Sequence, residues 1–159
     1  MRELVLADHV LRSLREEFLL FYTGEARSAS DVLSHQVSRT LAGDSEATDN
    51  LHRAKELARA TCAALEDGDL ERCAELMAGH WELKRSRAPN AVTDRAEELR
   101  SIAEGAGALG VMLMGAGGGG FLLAYTPEPA TTRSAMEAAG VPELRFDVDT
   151  TGCVALGAT

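Results

Sequence analysis

Cysteine, lysine and aromatic side chains are all scarce in this sequence. The three cysteines, Cys62, Cys73 and Cys153, are odd in number and show neither CxxC spacing nor a partnering histidine cluster. That pattern gives no support to a disulfide framework or a zinc site, and the expectation is buried thiols in a reducing cytoplasm. His9, His35 and His52 have no partners at metal spacing, so no metal site is expected either. Lys55 and Lys84 are the only lysines, and 25 acidic against 16 basic residues leave a net charge of -9. This is the wrong sign for holding a phosphate backbone, and no nucleic-acid partner is expected. Charge is also missing from residues 105–125, a length close to the ~20 residues of a membrane span. Glycines at 105, 107, 110, 115 and 117–120 break any helix there, so the stretch reads as two buried strands around a loop, with no membrane partner. At the start, Arg2, Glu3 and Asp8 interrupt any apolar run, and no secretory signal is expected.

With 159 residues and 45% hydrophobic side chains, the chain is expected to form one domain, spanning 1–159. Residues 17–23 (EFLLFYT) read as a buried strand closed by Gly24, preceded by a short helix over 7–15. Residues 28–41 carry apolar Ala29, Val32, Leu33, Val37 and Leu41 at helical spacing, with a stop at Gly43. A long helix follows with the face Leu51, Ala54, Leu57, Ala58, Thr61 and Leu65; Asp69 then caps another that buries Leu70, Cys73, Leu76, Met77 and Trp81. The pattern continues with a helix over 93–104, strands over 109–114 and 121–125 closed by Pro127 and Pro129, a helix over 131–139, and paired strands over 144–148 and 153–156. This order predicts an α+β fold, an antiparallel sheet with helices packed on one face.

The loop 115–120 (GAGGGG) formally satisfies GxGxxG, but a strand follows where a dinucleotide site needs a helix, and no Lys-Ser or Lys-Thr closes it as in a Walker loop. A run without Cβ atoms can adopt positive φ and turn consecutive N–H groups toward one phosphate. The same run also suits a hairpin that packs backbone against backbone. Both readings stay open on the residues alone.

Three stretches together carry a resemblance. Residues 108–121 (ALGVMLMGAGGGGF) are similar to the third signature of the GHMP kinases, the glycine loop of their C-terminal domain. Residues 80–84 (HWELK) resemble the helix that faces the acceptor site, and 21–29 (FYTGEARSA) resemble the YTGxxRxA stretch of the branch that phosphorylates anomeric sugar hydroxyls, the D-glycero-D-manno-heptose 7-phosphate kinases and fucokinases. The resemblance implies the ferredoxin-like C-terminal fold of these enzymes. It also implies nucleotide-phosphate contacts at Gly115, Ala116, Gly117, Gly118 and Gly119, and sugar-substrate contacts at Arg27, His80 and Lys84.

Two departures from the family pattern qualify it. Nothing matches the N-terminal ATP-binding domain, whose serine-rich loop, aspartate base and magnesium ligands complete these kinases. The expectation is therefore a C-terminal half without catalytic residues of its own, using ATP and Mg2+ only with a separate N-terminal half, or self-associating through an apolar surface beside the loop. The second is Met112, where many relatives place a lysine, which removes one cation from the phosphate site. The competing expectation is a non-catalytic module that binds a phosphorylated ligand or another protein.

Overall fold

The computed structural model describes residues 4–25, 29–89 and 91–149. In chain order the elements are α1 (Asp8–Glu16), β1 (Phe18–Tyr22), α2 (Ala29–Leu41), α3 (Ser45–Asp67), α4 (Leu70–Arg87), α5 (Asp94–Gly105), β2 (Gly110–Leu113), β3 (Phe121–Tyr125), α6 (Pro129–Ala138) and β4 (Glu143–Leu144). The strands form one antiparallel sheet in the order β2-β3-β1-β4.

Local chemistry explains where the helices begin. Asp44 accepts from the Ala47 N–H at 3.1 Å and opens α3, Asp69 accepts from the Arg72 N–H at 2.9 Å and opens α4, and Thr93 accepts from the Ala96 N–H at 3.2 Å and opens α5. Each satisfies a donor that the first helical turn leaves without an internal partner.

Alternation along the strands divides the apolar residues between two faces. Leu19, Phe21, Leu122, Ala124, Val111 and Leu113 meet Leu99 of α5, Met136 of α6 and Trp81 of α4 in the main core. On the other face Phe18, Tyr125, Met112 and Leu123 pack with Ala74 and Met77 of α4. Beside them an apolar cleft of about 360 Å³ stays open, bounded by Leu20, Leu65, Met114 and Phe146. Apolar surface therefore does lie beside the glycine loop, since Met114 is the residue that enters it.

Several expectations change. The predicted apolar stripe of 28–41 forms on a helix, but Leu33, Val37 and Leu41 are 45%, 53% and 82% exposed, because nothing among the described residues packs over them. Pro129 starts α6 rather than closing the preceding strand unit, since a proline at the first helical position leaves no donor unsatisfied. The terminal strand shrinks from 144–148 to Glu143–Leu144, where pairing with β1 ends, and its expected partner at 153–156 lies outside the described residues, as does Cys153. Cys73 is a buried thiol as expected, whereas Cys62 is only half-buried.

Candidate functional site

The glycine loop is anchored from three directions. The Met114 N–H donates to the Phe121 carbonyl at 2.7 Å and closes the β2–β3 hairpin. The Gly118 N–H donates to the Ala91 carbonyl, and the Gly120 N–H to the Glu25 carbonyl, both at 2.8 Å. The Thr23 N–H returns a bond to the Gly120 carbonyl at 2.8 Å. The YTG segment leaving β1 and the 88–93 connection are thereby sewn to the loop, and the Thr93 hydroxyl, already the cap of α5, also donates to the Glu25 carboxylate.

This sewing needs glycine. A Cβ on Gly117 would lie 2.5 Å from the Ala91 oxygen, and one on Gly119 would lie 2.7 Å from the Glu25 oxygen. Both residues also hold φ values near the left-handed region, 107° and 110°. The five predicted contact residues therefore divide. Gly118 and Gly119 are buried, and the Gly118 N–H is committed to Ala91. Gly115 is exposed, Ala116 and Gly117 are half-buried, and no acceptor among the described residues takes the N–H of these three or of Gly119.

Lys84 lies beneath this turn. The residue is 7% exposed, and its ammonium donates to the Leu113 carbonyl and, at 2.7 Å, to the Gly115 carbonyl. Burial lowers its pKa to about 8, with nearby Arg87 adding to the shift. His80, one turn back on α4, is also held below the usual imidazole range, by burial first and then by Lys84 and Arg87. Trp81, the residue between them, is core: it is fully buried, with the Arg100 guanidinium 4.9 Å from its ring centre. The structure thus brings Lys84 to the base of the loop and leaves His80 on the same helix stripe. Arg27 lies outside the described residues.

Some of the site could not be read from residue types. Arg87 shares the stripe of His80 and Lys84 at helical spacing, and its Nε donates to the Asn50 side-chain oxygen at 3.2 Å. Asn50 in turn donates to the Leu83 carbonyl at 2.8 Å and the Ser86 hydroxyl at 3.0 Å. The i, i+4, i+7 spacing was visible in the sequence; the buried Asn50 on α3 that fixes Arg87 was not. A second, open cleft at the end of β1 is bordered by Tyr22, Gly24, Phe121 and Val141, with the Tyr22 and Phe121 rings 5.3 Å apart.

Residues 53–141, more than half of the chain, match the family described as GHMP kinases C terminal. The chain belongs to that family. A protein of Arabidopsis thaliana described as a bifunctional fucokinase/GDP-fucose pyrophosphorylase is 28% identical over 120 residues, which cover 76% of this chain and 11% of that protein. The crystal structure of L. major mevalonate kinase in complex with R-mevalonate superimposes with a TM-score of 0.68 at 22% identity, over 76% of this chain and 37% of that one. A D-glycero-D-manno-heptose 1-phosphate kinase from Bacteriodes thetaiotaomicron gives a TM-score of 0.56 at 20% identity, over 92% and 37%. This GHMP kinase C-terminal domain thus spans only a minor part of each relative. Its Met112 packs with Phe18, Ala74, Met77 and Tyr125, so the position that departs from the family pattern is apolar surroundings here, and the cation at the foot of the loop comes from α4 as Lys84.

Proposed function

We propose that this chain supplies the C-terminal wall of the phosphoryl-transfer site in an ATP-dependent kinase for anomeric sugar hydroxyls, of the heptose 7-phosphate type, and that it acts only with an N-terminal GHMP kinase half. The observation that carries the reading is the loop itself: four N–H groups without an acceptor among the described residues, those of Gly115 and Ala116 at its more open end, on a turn fixed by Ala91, Glu25 and Thr23, with a buried ammonium at its foot. Prearranged donors and a fixed cation are what a transferring phosphoryl group requires. The fucokinase relative and the heptose-phosphate kinase fold support the sugar class, as does the YTGEAR stretch, whose first residues are hydrogen-bonded to the loop.

The donor set fits nucleotide phosphates, which Gly115, Ala116 and Lys84 would hold; ATP supplies the γ-phosphoryl group. Magnesium fits less well on this chain, because among the described residues no three His, Cys, Asp or Glu side chains converge. Its ligands, and the base that takes the proton from the sugar hydroxyl, are assigned to the N-terminal half. Arg27, His80 and the cleft beside Tyr22 and Phe121 would face the acceptor. In the balanced reaction the bond from the γ-phosphorus to the ADP oxygen breaks, the bond to the anomeric oxygen forms, and the hydroxyl proton leaves to the base.

The test is reconstitution with an N-terminal GHMP kinase half, followed by an assay for sugar 1-phosphate. Nucleotide binding without any transfer in a folded two-part complex would favour a non-catalytic phospholigand-binding module instead.

A further inference from the structure

We infer that His80, Lys84 and Arg87 form a preformed site for a phosphate-type dianion along α4, at the foot of the glycine loop. The spacing of four and three residues sets the three side chains on one narrow stripe of the helix. Lys84 fixes the stripe to the loop through the Leu113 and Gly115 carbonyls, which take two of its three protons. Arg87 is fixed at the other end by Asn50, which takes only its Nε proton and leaves the other guanidinium donors for a ligand.

What the stripe lacks is a counter-ion. Arg39, Arg95, Arg100 and Arg133, half-buried like Arg87, each sit on a carboxylate. Among the described residues no carboxylate comes within ion-pair distance of His80, Lys84 or Arg87, although the chain carries 25 acidic residues. Cations withdrawn from water and set beside one another oppose folding unless an anion joins them. Two positive charges at neutral pH call for a dianion, and a planar guanidinium beside an ammonium matches phosphate oxygens, with the His80 imidazole as a hydrogen-bonding neighbour. The ligand class is inorganic phosphate or the phosphate end of a small phosphorylated molecule. The site shares Lys84 and His80 with the proposed kinase wall and deepens that reading by adding Arg87, but the phosphate binding is a property of the chain alone and is read apart from any transfer.

The experiment titrates the 159-residue chain with inorganic phosphate at fixed ionic strength, following the His80 ring and Arg87 Nε resonances by NMR. Saturable shifts at both residues are expected. Arg87→Gln should weaken binding about tenfold, the loss typical of one charge-assisted contact, while its spectrum remains folded. Arg85→Gln, which removes an exposed charge on the neighbouring face, should bind as the parent does. Acetate at the same ionic strength should shift neither residue to saturation. Absent phosphate shifts, equal weakening by Arg85→Gln, unchanged affinity in Arg87→Gln, or saturation by acetate would each overturn the site.

Discussion

The ammonium of Lys84 donates to the Gly115 carbonyl at 2.7 Å, tying the middle of α4 to the first residue of the glycine loop. The two residues are thirty-one positions apart, and the bond is partly buried. It adds a side-chain anchor to a loop that backbone bonds to Ala91, Glu25 and Thr23 already hold, and two predictions rest on it.

Lys84→Met keeps the length of the side chain but leaves the Leu113 and Gly115 carbonyls without their donor. An unmet buried acceptor costs about 1–3 kcal/mol, offset in part by no longer burying a charge. Near neutral pH the two effects are of similar size, so the melting temperature should change little, while phosphate or nucleotide affinity should fall by more than any stability change explains. Calorimetry beside a binding titration checks both.

The pH dependence has a definite sign. The Lys84 pKa is lowered from 10.5 to about 8, so between those values the unfolded chain holds a proton that the folded chain has released. Unfolding then takes up protons, and this group's contribution to stability rises as pH climbs from about 8 to about 10.5, by up to ~3 kcal/mol. Below pH 8 its contribution is constant. Denaturant melts of the parent and Lys84→Met across this window should diverge in the parent's favour as pH rises; parallel curves would remove Lys84 as the titrating group.

Gly117→Val should destabilise the fold rather than selectively weaken binding. Its first side-chain carbon would meet the Ala91 oxygen at 2.5 Å, and the left-handed backbone at that position resists a branched residue. A melting temperature within a degree or two of the parent would contradict the close approach.

Much of this architecture was legible along the chain. Asp69 as a cap, the strand 121–125 and the core position of Trp81 all follow from local pattern, because capping and alternation depend on residues a few positions apart. The joining of Thr23 and Glu25 to Gly120 was not legible: those bonds use main-chain atoms, which every residue type carries alike. The stripe Leu33, Val37 and Leu41 was legible as helix but not as surface, since periodicity marks an apolar face without saying what covers it. The site divides the same way. Lys84 was in view as a functional residue, while its partners under the loop required the fold.

That exposed stripe gives a further prediction. Replacing Val37 and Leu41 with glutamine should change the stability of the isolated chain by no more than about 0.5 kcal/mol, because neither side chain is buried in it. If α2 docks onto the N-terminal half, the same double variant should weaken association with that half by tenfold or more, as read by sedimentation or calorimetry. Equal affinity would place the interface elsewhere, with the apolar cleft beside Met114 as the next surface to alter.

The central proposal is that this chain supplies one wall of a kinase site and acts only with an N-terminal half. The most direct measurement is ATP-dependent phosphorylation of heptose 7-phosphate and of free hexoses, assayed with the purified chain alone and again after reconstitution with an N-terminal GHMP kinase half. The account requires no product above the buffer control from the chain alone, and a sugar 1-phosphate when both halves are present. Turnover by the isolated chain, or a folded complex that binds ATP and sugar yet transfers nothing, would contradict it.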